Sequence, residues 1–268
     1  MSVAYKYRVR KVGNIKVAAF ISKCSAWTWA VVRAVLLIGL CFMILYPLIV
    51  KFTSSVMPVD DMYDATVRFV PRSLTLQQYR IAWEWMRYPR VLLNTIALTL
   101  TVSLLQVTSC TIVGYGLGRF NFVGRDLVFG LVLLTLVVPP EMVMIPLFLN
   151  FRFFDLFGLI PDPGINLLGS HWPFVLTSIT CTGLRNGLFI YIMTHFFRNM
   201  PDSLEEAAEI DGASSFVTFY RIMLPGAKPA LVIIFLFAFV WQWNDRFYLD
   251  LFIRSSEDYL SYALQNFA

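Results

Sequence analysis

Charge is scarce in these 268 residues. Asp, Glu, Lys and Arg make up 15% of the chain, against about 25% in a soluble domain. Cysteine is scarce too. Cys24, Cys41, Cys110 and Cys181 are widely scattered, with no CxxC pair, which argues against a disulfide framework and a thiolate metal site. They read as small buried hydrophobes. The two histidines, His171 and His195, stand alone, so no metal centre is expected. No G-x-x-x-x-G-K-[ST] loop is there to cradle a nucleotide phosphate, and neither a Ser–His–Asp pattern nor H-E-x-x-H appears. The chain is therefore not expected to be an enzyme. Its apolar runs lack period-2 alternation, which excludes a membrane barrel.

What the chain does have is hydrophobicity in long runs: 58% of residues are hydrophobic and mean hydropathy is +0.66. Five runs approach the roughly 20 residues that cross a bilayer: about Ala26–Val50, Val91–Leu117, Leu127–Leu149, Pro173–Phe197 and Pro229–Trp243. The expected fold is an all-α polytopic membrane protein. Residues 26–268 form one transmembrane domain, preceded by a basic arm over residues 1–25. That arm carries Lys6, Arg8, Arg10, Lys11, Lys16 and Lys23 and no acid, more positive charge than the +5 of the whole chain. The basic balance is therefore local and does not suggest nucleic acid. The first run is too long for a cleaved signal peptide. A basic flank before it predicts a cytoplasmic N-terminus. Loops 119–126 and 198–228 then lie inside, and segments 51–90 and 150–172 outside. Segment 51–90 fits less well, with six bases (Lys51, Arg68, Arg72, Arg80, Arg87, Arg90) against Asp60, Asp61, Asp64 and Glu84. Within it, Thr75 and Gln78 have capping-box spacing, and Leu76, Tyr79, Trp83 and Met86 share one face of a surface helix.

The inner loop 198–228 holds the most informative stretch, "EEAAEIDGASSFVTFYRIMLP" (205–225). Pro201-Asp202-Ser203 is a helix start with Asp202 or Ser203 as cap, and Glu205 and Glu206 suit the positive end of the helix dipole. Leu204, Ala207, Ala208 and Asp211 form a narrow face that another backbone could approach. Gly212 ends this helix in a left-handed conformation. A second helix starts at Ser214 or Ser215, presents Phe216, Phe219, Tyr220 and Met223 on one face, and stops at Pro225. Such a hairpin suits either a groove on a partner or a lipid surface. Its five acids between Asp202 and Asp211 would be repelled by an anionic leaflet.

Glu206-Ala207-Ala208, Gly212, Ile222 and Leu224-Pro225 have the spacing of the EAA signature. In these residues the chain resembles the membrane subunits of binding-protein-dependent ABC importers. "ILYPLIVKFTSS" (44–55), "NTIALTLTVSLLQVTSCTIVGYGLGRFNFVGR" (94–125), "VVPPEMVMIPLF" (137–148) and "WQWND" (241–245) extend the resemblance over most of residues 40–250. It is similar to the carbohydrate branch, and within it to the smaller permease of maltose-type sugar transporters. The resemblance implies an ABC importer permease fold in a bacterial cell membrane. It also implies three kinds of partner besides lipid: a second permease subunit, an ATP-binding cassette ATPase dimer, and an extracellular or periplasmic solute-binding protein. ATP and Mg would be bound by the ATPase, with no cofactor on this chain. The 201–225 hairpin would be the coupling element, with Glu206, Ala207, Ala208 and Gly212 as docking core. Phe216, Phe219, Leu224 and Pro225 would support it. That branch has six spans. Here five are visible, so the expectation is a chain that stops early, in an outer loop.

Charges inside apolar runs usually face a cavity or a partner. Glu141, after Pro139-Pro140, and Arg185, in the fourth run, are candidates to line a substrate path or to form structural pairs. Asn244 and Asp245 sit at the outer end of the fifth run and suit a gate or a docking role. Asn94 and Gln106 read as interhelical hydrogen bonds, and Gly114 and Gly118 as close helix packing. The expected function is a permease subunit for a sugar or oligosaccharide, with glycerol-phosphate or another polar solute as the alternative cargo. An ATP-independent secondary transporter would show an internal repeat or several intramembrane acids, and neither is visible.

Overall fold

The computed structural model describes residues 3–64, 67, 70–155, 158–161, 163–183, 185–253 and 258–267, with side chains described from residue 27 on and not at residue 267. The side chains of the basic arm, Cys24 and Arg68 lie outside the described residues. The chain divides into two units, Met1–Ala82 and Trp83–Ala268.

In the first unit, helix α1 (Val3–Ser55) is continuous, about 80 Å long at 1.5 Å per residue. Its second part, Trp27–Ser55, is long and apolar enough to cross a membrane. Side chains from Trp27 to Phe52 are exposed around the helix, Cys41 among them, contrary to its expected burial. A helix apolar on every side is suited to lipid or to a partner helix. After α2 (Val59–Tyr63), Arg72 gathers the segment. Its N–H donates to Asp61 Oδ2 at 2.9 Å, and its Nη2 pairs with Asp64 at 2.6 Å. Thr75 Oγ1 accepts from Gln77 N at the start of α3 (Gln77–Trp85), while Gln78 Nε2 reaches Met62 instead of closing a capping box. Of the predicted α3 face, Leu76, Tyr79 and Trp83 are exposed and Met86 is buried.

In the second unit, α4 (Tyr88–Arg119) is the axis against which α7 (Trp172–Ile179), α8 (Asn186–Arg198) and α12 (Lys228–Asn244) pack. Its buried stripe is Thr95, Thr99, Ser103, Gln106, Cys110 and Gly114. These residues are small or polar, at three- and four-residue spacing, the pattern that lets membrane helices approach. The cost of sidedness is met locally: Thr95 and Thr111 hydroxyls donate to carbonyls one turn back. Gly114 and Gly118 face α8. A Cβ at 114 would stand 2.5 Å from Met193 Cβ, and one at 118 would stand 3.1 Å from Phe197 Cβ. Around this seam Phe189, Met193, Phe197, Met223 and Ile234 form the main core.

The apolar runs are not all single helices. The third is α5 (Arg125–Val137) and α6 (Pro140–Arg152), bent by 104°. Val138 and Pro139 are extended there, as the residue before a proline prefers. The fourth run, expected as one helix, is broken between α7 and α8. Thr182 N and Gly183 N both donate to Thr177 O at 2.9 Å, and Cys181 and Arg185 are left-handed. The physical reason is the Thr177-Ser178-Ile179-Thr180 sequence. The three hydroxyls bond carbonyls of the preceding turn, a competition that weakens a helix. The fifth run is α12. It continues at a 73° bend from α9 (Ser203–Ile210) onward through α10 (Ser215–Thr218), a π-turn over Phe219–Met223, and α11 (Leu224–Gly226), the bent pair itself spanning Ser215–Gly226 and Lys228–Asn244. Pro225 does not stop the helix as expected: it follows the π-turn over Phe219–Met223, and the helical path runs on to Gly226. Among the described residues, two helices are by length and composition able to cross a membrane alone, and each bent pair can serve as one more span.

Short helices α13 (Phe247–Phe252) and α14 (Leu260–Phe267) close the other end. Leu260 N donates to Thr95 Oγ1 at 2.9 Å. Asn94 Nδ2 donates to Asp258 O at 3.3 Å, a backbone carbonyl just before α14 and not the interhelical partner expected for Asn94. His171 Nε2 meets the Tyr259 hydroxyl.

Candidate functional site

The hairpin begins where α8 ends. Asp202 occupies the N-cap of α9 but makes no side-chain cap bond. Its carboxylate is drawn instead to Arg119, at 2.6 Å from Nη1. At the other end, Gly212 N donates to Glu209 O and Ala213 N to Ala208 O, both at 2.9 Å. These are the paired bonds of a Schellman motif, with Gly212 at φ 78. The second arm is capped as the sequence suggests: Ser214 Oγ accepts from Val217 N at 3.4 Å.

The two arms do not present the faces expected of them. Glu206, Ala207 and Gly212 are exposed, but Ala208 is buried and faces into the chain. The expected aromatic face is divided. Phe216 and Tyr220 are 74% and 63% exposed, whereas Phe219 packs inward and Met223 is fully buried. The π-turn over 219–223 widens the helix by one residue per turn at this point, and the i, i+4 pairs Phe216/Tyr220 and Phe219/Met223 part to opposite sides. Phe216 is therefore part of the outward surface and not of the supporting packing. Leu224 is half-buried and Pro225 exposed. Ile210, 87% exposed, joins Phe216 and Tyr220 as an apolar group offered to the outside. No space limit surrounds Gly212: a Cβ there would meet nothing within 4 Å.

Beneath the hairpin lies a constellation that sequence reasoning missed. Arg119, read as a loop charge, is the last residue of α4, and its side chain is 6% exposed. Its Nη1 pairs with Asp202, and its Nη2 donates to Pro201 O at 3.4 Å. Its Nε lies 3.0 Å from Glu205 Oε2, an ion pair without the alignment of a hydrogen bond. One turn earlier, the Tyr115 hydroxyl donates to Glu205 Oε1 at 2.9 Å. A pocket of about 150 Å³ opens beside this cluster, lined also by Glu209, Ser215 and Thr218. The available signal was the i, i+4 pair Tyr115/Arg119 at the end of an apolar run, opposite two carboxylates in a first helical turn.

The four candidates for a substrate path are not brought together. Glu141 is exposed in the first turn of α6. Arg185 stacks over Trp241, with Cζ 4.4 Å from the ring centre. Asn244 Nδ2 donates back to Val240 O at 2.7 Å. Asp245 caps the end of α12 and is 9% exposed. Its Oδ1 accepts from Tyr248 N, while its Oδ2 finds no hydrogen-bond partner among the described residues. Tyr248 lies within electrostatic reach of both Asp245 and Glu141. The polar groups that do converge inside the unit are Gln106, Thr177, Gly183 and Gln242.

Comparison with known proteins gives three findings. Residues 111–265 match the family described as the binding-protein-dependent transport system inner membrane component. Among curated proteins, the chain is 29% identical over 217 residues to the trehalose transport system permease protein SugB of Mycobacterium tuberculosis, covering 81% of this chain and 72% of that one. It is 28% identical over 216 residues to the sn-glycerol-3-phosphate transport system permease protein UgpE of Yersinia pestis, covering 78% and 71%. Among solved structures, the fold matches a bacterial ABC transporter involved in the import of the acidic polysaccharide alginate. The TM-score is 0.69 at 24% identity, over 90% of this chain and 79% of that one.

Proposed function

The chain belongs to the family of binding-protein-dependent transport system inner membrane components, and from that premise we propose that it is a permease subunit of an ATP-driven importer for a sugar or oligosaccharide. It works with a second permease subunit, an ATPase dimer that binds ATP and Mg, and an external solute-binding protein. Its N-terminus is cytoplasmic, so the α9–α10 hairpin faces the ATPase. There it is the coupling element: closure of the ATPase dimer moves the hairpin, and the spans answer by alternating access.

One observation carries this reading. Ile210, Phe216 and Tyr220 stand exposed on a hairpin whose first arm is acidic and whose turn is fixed by a Schellman motif. Large apolar groups on a rigid, anionic hairpin suit a groove on a protein better than an anionic lipid surface. Glu206 and Ala207 lie on the same outward surface, Ala208 and Phe219 hold it from behind, and Gly212 sets its turn. The trehalose permease relative supports a sugar cargo. Glycerol-phosphate is the second reading, supported by the glycerol-phosphate permease relative at nearly equal identity.

The test is ATP turnover by the complete complex in lipid, with and without solute-loaded binding protein, for the wild type and for Gly212→Asp. Aspartate visits the left-handed region more readily than most residues and meets no neighbour at this position. The left-handed turn costs the variant some strain, but no neighbour within the chain is displaced, so the added carboxylate is met by whatever docks. Loss of stimulation in Gly212→Asp is the expected result. Unchanged stimulation would overturn the coupling role of the hairpin. Comparing trehalose, other sugars and glycerol-phosphate on the binding protein decides the cargo.

A further inference from the structure

The contacts beneath the hairpin all converge from one direction. Tyr115 and Arg119, one turn apart at the end of α4, hold both oxygens of Glu205, the carboxylate of Asp202 and the carbonyl of Pro201. Every one of these acceptors lies in the five residues that open α9. The Tyr115 ring also packs on Phe219 of the second arm, with centroids 4.7 Å apart, and on Phe197 of α8 at 5.2 Å. Behind these contacts the pocket beside Glu209, Ser215 and Thr218 leaves the arms without continuous apolar packing on α4. The opening turn of α9 is therefore held to α4 through polar groups, while the second arm packs through Phe219 and Met223.

We infer that Arg119 and Tyr115 are positioning residues that tie the opening turn of the hairpin to the end of α4, so that a displacement of α9 is passed directly into this span. The physical reason is the burial of the cation. A guanidinium stays charged when buried, so one with a side chain 6% exposed is strongly disfavoured without its carboxylates. The ends of α4 and α9 then move as one body, and the docked surface on the far side of α9 remains free for a partner. Asp202 gives up its capping bond to serve the same cation. This inference rests on the coupling reading above and names the route by which coupling enters the membrane domain.

The test uses the complete complex in lipid and reads the ratio of ATP turnover with loaded binding protein to basal turnover, together with retention of the ATPase subunit on purification. The variants are Glu205→Gln, Tyr115→Phe, Arg119→Lys and Arg119→Gln, with Gly212→Asp alongside. Glu205→Gln and Arg119→Gln are expected to retain the ATPase subunit and to lower the ratio about fivefold or more, the scale of a coupling effect. Arg119→Lys keeps the charge and is expected to preserve more of the ratio than Arg119→Gln. Tyr115→Phe removes a single hydroxyl, so it folds, and it is expected to lower the ratio by a smaller factor. If Glu205→Gln and Tyr115→Phe both keep the wild-type ratio, the tie is overturned. If Glu205→Gln instead loses the ATPase subunit, Glu205 is a docking residue and the inference also fails. Should Gly212→Asp stimulate normally, the coupling reading itself is what fails.

Discussion

Two alanine substitutions on α4, Gly114→Ala and Gly116→Ala, separate packing from helix propensity. Both lie in the same helix two residues apart, and each gains about the same 1 kcal/mol of propensity. Their surroundings differ. On the observed backbone a Cβ at 114 would stand 2.5 Å from Met193 Cβ, 3.1 Å from Thr194 N and 3.2 Å from Met193 C, whereas a Cβ at 116 meets nothing within 4 Å. Carbon atoms rest about 3.5–4.0 Å apart, and the obstructing atoms are backbone or the first side-chain carbon, which no rotamer change can move. Helices α4 and α8 must therefore part by about 1 Å, loosening the contacts of Phe189, Met193 and Phe197, all fully buried. Overpacking of this kind costs about 1–3 kcal/mol, and in a chain of this size each kcal/mol moves the unfolding midpoint by about 2–4 °C. Tryptophan-fluorescence melts in lipid nanodiscs are the assay. Gly114→Ala is expected to melt about 2–12 °C below Gly116→Ala. Equal midpoints would refute the close approach of α4 and α8.

Other outcomes follow from the same geometry. Phe197→Ala removes a fully buried ring and should cost about 3–5 kcal/mol. Phe216→Ala, on the exposed arm, should change stability by no more than about 0.5 kcal/mol yet weaken capture of the ATPase subunit, and a large stability loss would put Phe216 in the core after all. Arg185→Lys keeps the charge but loses the flat stacking on Trp241. A loss of about 0.5–2 kcal/mol is expected, and no change in the melt would mean the stacking contributes nothing. Gln242→Leu removes an amide whose Nε2 is buried without a partner among the described residues. It should leave stability within about 1 kcal/mol of the wild type or raise it, while a large loss in the melt would show that the amide is bonded.

Several features were determined by the sequence alone because each depends on chemistry local in the chain. Apolar runs of bilayer length are legible one at a time, and so is the Schellman turn, since Gly212 is the residue that accepts φ 78 without penalty. The EAA spacing and the Gly114/Gly118 packing are read the same way. Tertiary structure decided what depends on neighbours distant in sequence. It broke the fourth run at Thr177–Arg185, where hydroxyls compete for backbone carbonyls. It turned Ala208 inward, and it parted Phe216 and Tyr220 from Phe219 and Met223 where a π-turn resets the helical phase. Arg119 became a buried anchor because α9, more than 80 residues further along the chain, brings Asp202 and Glu205 against it. A charge is worth burying only beside its partners, and those partners meet only once α4, α8 and α9 have packed.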